Sequence, residues 1–267
     1  LLEIYEKMYL SRKLDDRQLI LLKQGKGFFH IGASGHEAAQ IAASKFIDCK
    51  IDYSYPYYRN QAYCIGLGMT SREILLSFLA KKDDPNSGGR QMPQHFSHPD
   101  LNIVSQSSPT GTQYLQAVGA SFVLKKRKNG SVSYVTSGEG TTSQGDFHEA
   151  LNWASREKAP IVFHIENNNY AISVPIEDQV SGSSVFNVAS GYESLSRYEI
   201  DGGDFFESYL AFSKAFERTR NGKGPSLIVS NVVRLLPHSS SDDHSKYRSS
   251  EDIEKDKKRD PLKLFVE

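Results

Sequence analysis

The sequence predicts an α/β fold in which a mostly parallel sheet is covered by helices on both faces. Short β-prone apolar runs at 133–135, 161–163 and 226–233 end in glycines or polar turns, as strands commonly do. Stretches with helical periodicity separate these runs, which is the pattern of strand–helix–strand units. The length of 267 residues allows one such domain with a large core.

The predicted elements follow in order along the chain. Apolar residues of the first 24 positions recur at helical spacing, and an Ala-rich helix over 36–46 follows a Gly-rich connector, so that an N-terminal helical segment covers about 1–46. The next predicted elements are an aromatic turn over 52–59, a helix over 71–80 capped by Thr70 or Ser71, a long polar loop over 81–103, a helix over 112–126 and a strand over 131–136.

Beyond residue 170 the alternation continues to the end of the chain. The predicted elements there are a short helix over 185–195, a short strand at 198–200, a helix capped by Asp204 and running to about Thr219, the strand 226–233, a polar loop over 234–248 and a charged helix over 251–259.

Composition narrows the possible functions. The 32 basic and 32 acidic side chains balance, so nothing favours binding to nucleic acid or to an anionic membrane surface. The two cysteines, Cys49 and Cys64, are too few for a disulfide framework and are interpreted as small buried thiols. With no visible signal peptide, we expect an intracellular, reducing compartment, the bacterial cytoplasm in preference to the mitochondrial matrix.

Polar side chains follow two neighbouring predicted strands at the point where each strand ends. Glu139 lies between Gly138 and Gly140 after the first strand, and Asn168 follows the second. Because parallel strands present their carboxyl ends at one edge, we expect Glu139 and Asn168 to lie side by side at a binding edge. Their oxygens suit Mg²⁺ that is also bound by a phosphate ligand. The alternative is an Asn-rich turn after a buried strand.

The residues around Glu139 also suit an anion. We expect Gly138 and Gly140 to let the backbone bend tightly and to let main-chain N–H groups approach a diphosphate. Thr141 can bind a phosphate or cap the next helix, whose N-terminus adds positive potential.

The stretch 138–170, GEGTTSQGDFHEALNWASREKAPIVFHIENNNY, resembles the thiamine diphosphate motif, in which GDG is followed by NN. Its flanks resemble the alpha subunit of the decarboxylating component of 2-oxo acid dehydrogenase complexes, and the likeness extends from Gln24 to Pro261. The resemblance implies a thiamine-diphosphate-binding fold formed by one domain over 1–267. It also implies oxidative decarboxylation of a 2-oxo acid with acyl transfer to lipoyl groups. The segment 88–93 is closer to the branched-chain (2-oxoisovalerate dehydrogenase) type than to the pyruvate type.

The resemblance also implies roles for individual residues. The Mg²⁺ ligands would be Glu139, Asn168 and the carbonyl of Tyr170, with Glu139 standing where Asp is usual. His238 would lie beside the diphosphate and assist proton transfer, and Phe29 would line the substrate pocket. The full set of implied cofactor contacts is Tyr58, Arg59, Ser108, Thr110, Gly138, Glu139, Gly140, Thr141, Asn168, Tyr170 and His238.

Some positions leave alternatives open. K⁺ binding is implied for the positions Ser107, Pro109, Thr112 and Gln113, but a Ser/Thr-rich loop that caps the following helix explains them equally well. Ser239 matches a position that is phosphorylated in mitochondrial relatives. Glu166 replaces an Arg that assists phosphate binding in branched-chain relatives, and His36 stands where many relatives have Gln or Glu.

The resemblance implies partners as well as a cofactor. A beta subunit or fused beta half would supply a further carboxylate, in a heterotetramer, and a lipoyl-bearing acyltransferase would accept the acyl group. The alternatives are a pyruvate or acetoin dehydrogenase alpha subunit, and a non-enzymatic module that binds a phosphate ligand with Mg²⁺. The chain lacks a GK[ST] nucleotide-binding loop.

Overall fold

The computed structural model describes residues 1–267. The α-helices are α1 (Leu2–Lys23), α2 (Glu37–Ser44), α3 (Gln61–Leu67), α4 (Ser71–Phe78), α5 (Thr112–Arg127), α6 (Gly145–Arg156), α7 (Ile176–Gln179), α8 (Val185–Val188), α9 (Phe205–Arg220), α10 (Ser250–Lys258) and α11 (Pro261–Leu264). The strands are β1 (Tyr53–Tyr55), β2 (Ser133–Gly138), β3 (Ile161–Asn167), β4 (Tyr170–Ala171), β5 (Val174–Pro175), β6 (Ser196–Asp201) and β7 (Ser226–Asn231).

Five of the strands form one parallel sheet in the order β1-β2-β3-β7-β6. Strands β4 and β5 form a separate antiparallel hairpin directly after β3. Because all five strands of the main sheet run in the same direction, their carboxyl ends meet at one edge. The α/β prediction is therefore confirmed.

Helices cover both faces of this sheet. Tyr134 and Val162 point into a hydrophobic cluster shared with α1, α2, α3 and α9. The next residue along each strand, Val135 or Phe163, points into a second cluster shared with α5 and α6. Every residue of β3 is buried, as expected for a central parallel strand. Burial on both faces fixes the strand register, because a one-residue slip would exchange the two sets of side chains.

The predicted helix caps are confirmed. Thr70 and Glu73 form a capping box at the start of α4, and the Asp204 carboxylate accepts the backbone N–H groups of Phe206 and Glu207 at the start of α9. These bonds satisfy N–H groups that have no partner within the helix.

Three sequence predictions are wrong in detail. The stretch 52–59 is not only a turn, because it contains β1, which pairs with β2; three residues are too few to show an alternating pattern. The predicted helix over 185–195 is reduced to α8 followed by a 3₁₀ turn at Ala189–Gly191. Cys64 is fully buried as expected, but Cys49 is partly exposed.

None of the helices combines the length and apolar character needed to cross a membrane.

A buried carboxylate ties the opposite, amino edge of the sheet together. Asp52 is fully buried and accepts hydrogen bonds from Arg220 at 2.5 and 2.9 Å and from the backbone N–H groups of Val132 and Asp48. Arg220 is the last residue of α9, and Val132 precedes β2. The ion pair therefore joins the end of α9 to the start of the sheet.

His164 is buried in the middle of β3. Its Nδ1 lies 2.8 Å from the Tyr134 hydroxyl and its Nε2 lies 2.9 Å from the Ser230 hydroxyl. Burial lowers the pKa of His164 to about 4. The imidazole is consequently neutral in the folded protein at neutral pH.

We expect His164 to make stability depend on pH. The unfolded chain takes up a proton near the ordinary histidine pKa of 6.5, whereas the folded protein does so only near pH 4. The contribution of neutral His164 to the free energy of unfolding is therefore complete above about pH 6.5. It decreases as the pH drops from there towards 4, by up to about 1.4 kcal/mol per pH unit. Replacing His164 with Gln keeps a polar side chain but removes this contribution.

Urea unfolding of both proteins between pH 7.5 and 4.5 measures the difference. Histidines distant from His164 contribute equally to both proteins, so the gap between the two curves measures His164 together with its coupling to His36 and Glu166. Parallel curves would contradict the prediction.

Candidate functional site

A cleft with a volume of about 290 Å³ opens at the carboxyl edge of the sheet. Its walls come from the segments that follow β1, β2, β3 and β7. Of the residues predicted to bind a cofactor, the structure brings the following into this lining: Tyr58, Arg59, Thr110, Gly138, Glu139, Gly140, Thr141, Asn168, Tyr170 and His238. Convergence of distant segments on one edge is the usual arrangement of a ligand site in a parallel sheet.

Glu139 and Asn168 lie side by side, as the sequence predicts. Gly138 pairs with Glu166 in the β2–β3 register, so the residues just beyond these strand ends meet. The Glu139 Oε2 atom accepts the backbone N–H of Asn168 at 3.1 Å, and the Asn168 Oδ1 atom accepts the backbone N–H of Tyr170 at 3.3 Å. The Asn-turn alternative is also present locally, since Asn169 has a φ of 68°.

The Glu139 carboxylate is only half satisfied. The residue is 1% exposed, and its Oε1 atom has no hydrogen-bond partner. Burial raises the pKa of Glu139, since loss of hydration disfavours the charged form of a carboxylate that is not fully hydrogen-bonded. A cation bound in the cleft would supply that missing partner. No group of three or more His, Cys, Asp or Glu side chains is placed to hold a metal, so such a cation would depend on amide and carbonyl oxygens as well.

The Tyr170 carbonyl, the third predicted metal ligand, has a neighbour that sequence reasoning missed. Arg234 is 1% exposed, and its guanidinium lies 3.5 Å from the Tyr170 carbonyl and 3.0 Å from the Ile172 carbonyl. It therefore fixes the segment that forms one wall of the cleft. Arg234 also places a buried positive charge close to Glu139, which opposes the rise in the carboxyl pKa.

The reason proposed for the two glycines is partly wrong. Neither Gly138 nor Gly140 has a positive φ, so the turn itself does not require glycine. A Cβ on Gly140 would lie 2.8 Å from the Cβ of Ala171, so close packing excludes a larger residue there. A Cβ on Gly138 would meet only ordinary contacts at 3.8 Å, and its absence leaves the backbone open to the cleft.

Thr141 does not cap the helix that follows. It lies in a 3₁₀ turn, Glu139–Ser143, and α6 begins only after Gln144, which makes no side-chain cap. This 3₁₀ turn separates the α6 N-terminus from Gly138, so the expected helix start directly beside the glycines is also wrong. Of the two predicted roles of Thr141, contact with a ligand is the one that its position in the cleft allows.

Arg59 and His238 meet at the opposite wall of the cleft. Arg59 is 2% exposed; its Nη1 donates to the Gly32 carbonyl at 2.5 Å and its Nη2 to the His238 carbonyl at 3.3 Å. The guanidinium also lies 5.5 Å from the centre of the Tyr58 ring. Burial, together with the cations Arg59 and Arg234, lowers the pKa of His238 to about 4. His238 is therefore neutral at pH 7 and can donate one N–H while accepting at its other nitrogen.

A hydrogen-bonded loop holds His238 in place. The Asp242 carboxylate accepts the His238 backbone N–H at 2.8 Å and the Tyr247 hydroxyl at 2.6 Å. The Tyr247 hydroxyl in turn accepts from Arg234 at 2.8 Å, and Arg248 donates to the Arg234 carbonyl at 3.1 Å. Sequence reasoning described 234–248 as a polar loop and, through the resemblance, singled out His238 and Ser239 in it. It did not predict the bonds of Tyr247 and Asp242 that hold the loop.

Two predicted residues lie outside the cleft lining. Ser108 is exposed, and its hydroxyl lies 2.6 Å from Nε2 of His95. Phe29 is partly buried elsewhere. The structure brings neither side chain to Glu139 or His238, so their roles remain predictions.

The segment proposed to bind K⁺ uses its polar atoms locally. Thr112 Oγ1 donates to the Pro109 carbonyl at 3.2 Å. The Gln113 side chain accepts from the Gly111 N–H at 2.9 Å and donates to the Thr136 carbonyl at 3.1 Å. Two of these bonds are local and the third reaches β2, but the N-cap residue of α5, Gly111, makes no side-chain cap, so side-chain capping of this helix is not observed. K⁺ binding by this segment remains a prediction.

Removing the Tyr247 hydroxyl should loosen the loop that carries His238. Tyr247→Phe deletes the bridge between Asp242 and Arg234, and one hydrogen bond to a charged group contributes about 1.5–3 kcal/mol. We expect a lower free energy of unfolding, and an increase in amide hydrogen exchange over 238–248 that is larger than the increase in β2 and β3.

Tyr192→Phe provides the matched control for this experiment. Its hydroxyl donates to the His148 carbonyl at 3.3 Å at an exposed position. If both variants showed the same exchange in 238–248, the bridging role of Tyr247 would be refuted.

Sequence comparison finds known relatives of this chain. The sequence pattern of the family described as "Dehydrogenase E1 component" matches residues 5–267. The chain is 44% identical over 263 residues to the 2-oxoisovalerate dehydrogenase subunit alpha of Bacillus subtilis (strain 168), which covers 98% of this chain and 79% of that protein.

Similarity to a second group of relatives is lower. The chain is 36% identical over 266 residues to the pyruvate dehydrogenase E1 component subunit alpha of Staphylococcus aureus (strain Mu50), covering 99% of this chain and 69% of that one. It is also 36% identical to the corresponding subunit of Bacillus subtilis (strain 168), covering 98% and 68%.

Proposed function

This chain belongs to the dehydrogenase E1 component family, and we propose that it is the alpha subunit of a 2-oxo acid dehydrogenase of the branched-chain type. Residues 1–267 act as one diphosphate-binding domain in this proposal. The observation that carries it is the meeting of Glu139, Asn168, Arg59 and His238 in one cleft at the carboxyl edge of the sheet. The higher identity to a 2-oxoisovalerate dehydrogenase subunit than to the pyruvate dehydrogenase subunits supports the branched-chain type.

The family uses thiamine diphosphate, and the cleft fits its charged end. The coenzyme, when bound, supplies the electron sink needed for loss of CO₂ from a 2-oxo acid. Mg²⁺ would be held by Glu139, Asn168 and the Tyr170 carbonyl. The unpartnered Oε1 atom of buried Glu139 is the observation that favours a cation at this point.

Other residues of the cleft lining suit the phosphate groups. The Arg59 guanidinium can offer N–H groups to phosphate oxygens, and the Tyr58 ring supports it. The open backbone at Gly138 allows a close approach of main-chain N–H groups. Neutral His238 can donate a hydrogen bond to a phosphate oxygen, or hold a proton that is transferred during acyl transfer.

A partner chain completes the site in this proposal. In the family that the sequence resembles, a carboxylate of a beta subunit contacts the aminopyrimidine ring, and a subunit named alpha implies a beta partner. We propose that the acyl group passes to the lipoyl group of an acyltransferase component, and that the assembly works in the bacterial cytoplasm. The purified chain alone should therefore show no decarboxylation.

Reconstitution tests the function and its alternatives together. The chain is combined with its beta subunit and assayed for CO₂ release from 3-methyl-2-oxobutanoate and pyruvate, and for oxidation of acetoin. Preference for 3-methyl-2-oxobutanoate supports the branched-chain type, whereas preference for pyruvate or acetoin would replace it with the corresponding alpha subunit. Tight binding of ATP with no binding of thiamine diphosphate would indicate a phosphate-binding module instead.

Glu139→Gln should separate ligand binding from folding. Because burial raises the pKa of Glu139, its charge destabilises the ligand-free fold above the ordinary carboxyl pKa, and the neutral amide should leave the melting temperature at pH 7 equal or higher. The affinity for thiamine diphosphate with Mg²⁺ should fall on the order of 100-fold, because a charged oxygen ligand is lost.

Calorimetry and thermal melting with and without ligand measure both effects. Glu177→Gln, at a nearby exposed glutamate, should change neither quantity. Unchanged binding by the Glu139→Gln protein would rule out the proposed cation site.

A further inference from the structure

A second buried carboxylate lies behind the cleft. The Glu166 side chain is fully buried near the end of β3 and does not line the cleft. Four donors surround it: the His36 ring at 2.5 Å, Gln40 at 2.8 Å, the Tyr57 hydroxyl at 3.1 Å and Asn60 at 2.5 Å. Unlike Glu139, this carboxylate has all its oxygens satisfied.

The cluster is organised around a negative charge. His36, Gln40, Tyr57 and Asn60 all direct donors at the two carboxylate oxygens of Glu166. Burial lowers the pKa of His36, which therefore acts as a neutral donor through Nδ1–H. Every neighbour within hydrogen-bonding distance of Glu166 can donate. Hydrogen bonds from these donors are stronger to an ionised carboxylate than to a neutral acceptor.

These donors hold the segment that presents Arg59. Tyr57 and Asn60 are the first and last residues of the four-residue turn 57–60, and both donate to Glu166. Gln40 donates to Glu166 and also to the Arg59 carbonyl at 3.1 Å. Glu166 thus fixes both ends of the turn and, through Gln40, its middle.

We propose that Glu166 is a positioning residue: it fixes the turn 57–60 so that Tyr58 and Arg59 meet the phosphate end of the ligand. This inference rests on the proposed function, because it assigns the phosphate end to Arg59. Glu166 itself touches no ligand.

Glu166→Gln tests the proposal in the complex with the beta subunit. The glutamine amide would point two N–H groups at neighbours that are themselves donors, and the turn would lose its common anchor. We expect the affinity for thiamine diphosphate with Mg²⁺, measured by calorimetry, to fall at least about tenfold. The affinity for thiamine, which has no phosphate, should change less than about twofold.

A double-mutant cycle with Arg59→Lys separates positioning from a general loss of packing. If Glu166 acts through Arg59, the Glu166→Gln change should weaken diphosphate binding much less once Arg59 is already Lys. Additive losses, or an equal loss for thiamine and thiamine diphosphate, would overturn the proposal.

Asp52→Asn serves as the matched control, because it neutralises a fully buried, hydrogen-bonded carboxylate at the opposite edge of the sheet. It should lower stability without changing the affinity for either ligand. If Asp52→Asn weakened diphosphate binding as much as Glu166→Gln, the effect would be one of stability and the proposal would fail.

His36→Leu and His36→Gln keep the test available if Glu166→Gln does not fold. The leucine removes one donor and leaves the carboxylate, so diphosphate binding should weaken. Glutamine can still donate a hydrogen bond, so the affinity of that variant should fall less. Equal affinities for these two variants would contradict the proposal.

A wild-type complex that did not bind thiamine diphosphate would remove the proposed function itself, whereas normal binding by both wild type and Glu166→Gln would remove only this inference.

Discussion

The parallel pairing of β2 and β3 is the constraint on which the site depends. Because Gly138 lies opposite Glu166, the residues that follow place a carboxylate beside the backbone of Asn168. The register is fixed by two buried faces, where residues such as Val135 and Phe163 cannot be exchanged with their neighbours. The position of Glu139 is thus a consequence of packing in the core and does not depend on the ligand.

The charges around the cleft are arranged so that a ligand completes them. Arg59 and Arg234 are buried cations, and Glu139 and Glu166 are buried carboxylates. Glu166 has enough donors to stay ionised, whereas Glu139 has one unpartnered oxygen and a raised pKa. A bound cation would give the unpartnered Glu139 oxygen a partner, and a bound anion would pair with the Arg59 guanidinium. A metal–diphosphate pair supplies both charges together, which is why it fits better than either ion alone.

The sequence predicted the parts of the site that depend on local order along the chain. Glu139 and Asn168 each follow a strand directly, so the rule for parallel sheets placed them together. The roles of Arg234 and Tyr247 could not be predicted, because they arise from contacts between loop segments that no periodic pattern records. Strand β1 was missed since three residues show no alternation. The glycine argument failed because close packing against Ala171, which is a tertiary contact, sets the requirement.

The glutamate at position 166 supports the site from behind the cleft. A glutamate at the cleft surface would repel a bound phosphate. In this chain the glutamate is withdrawn from the cleft and surrounded by donors, including His36 and Asn60. Its charge is thereby separated from the ligand, while its hydrogen bonds hold the turn that carries Arg59.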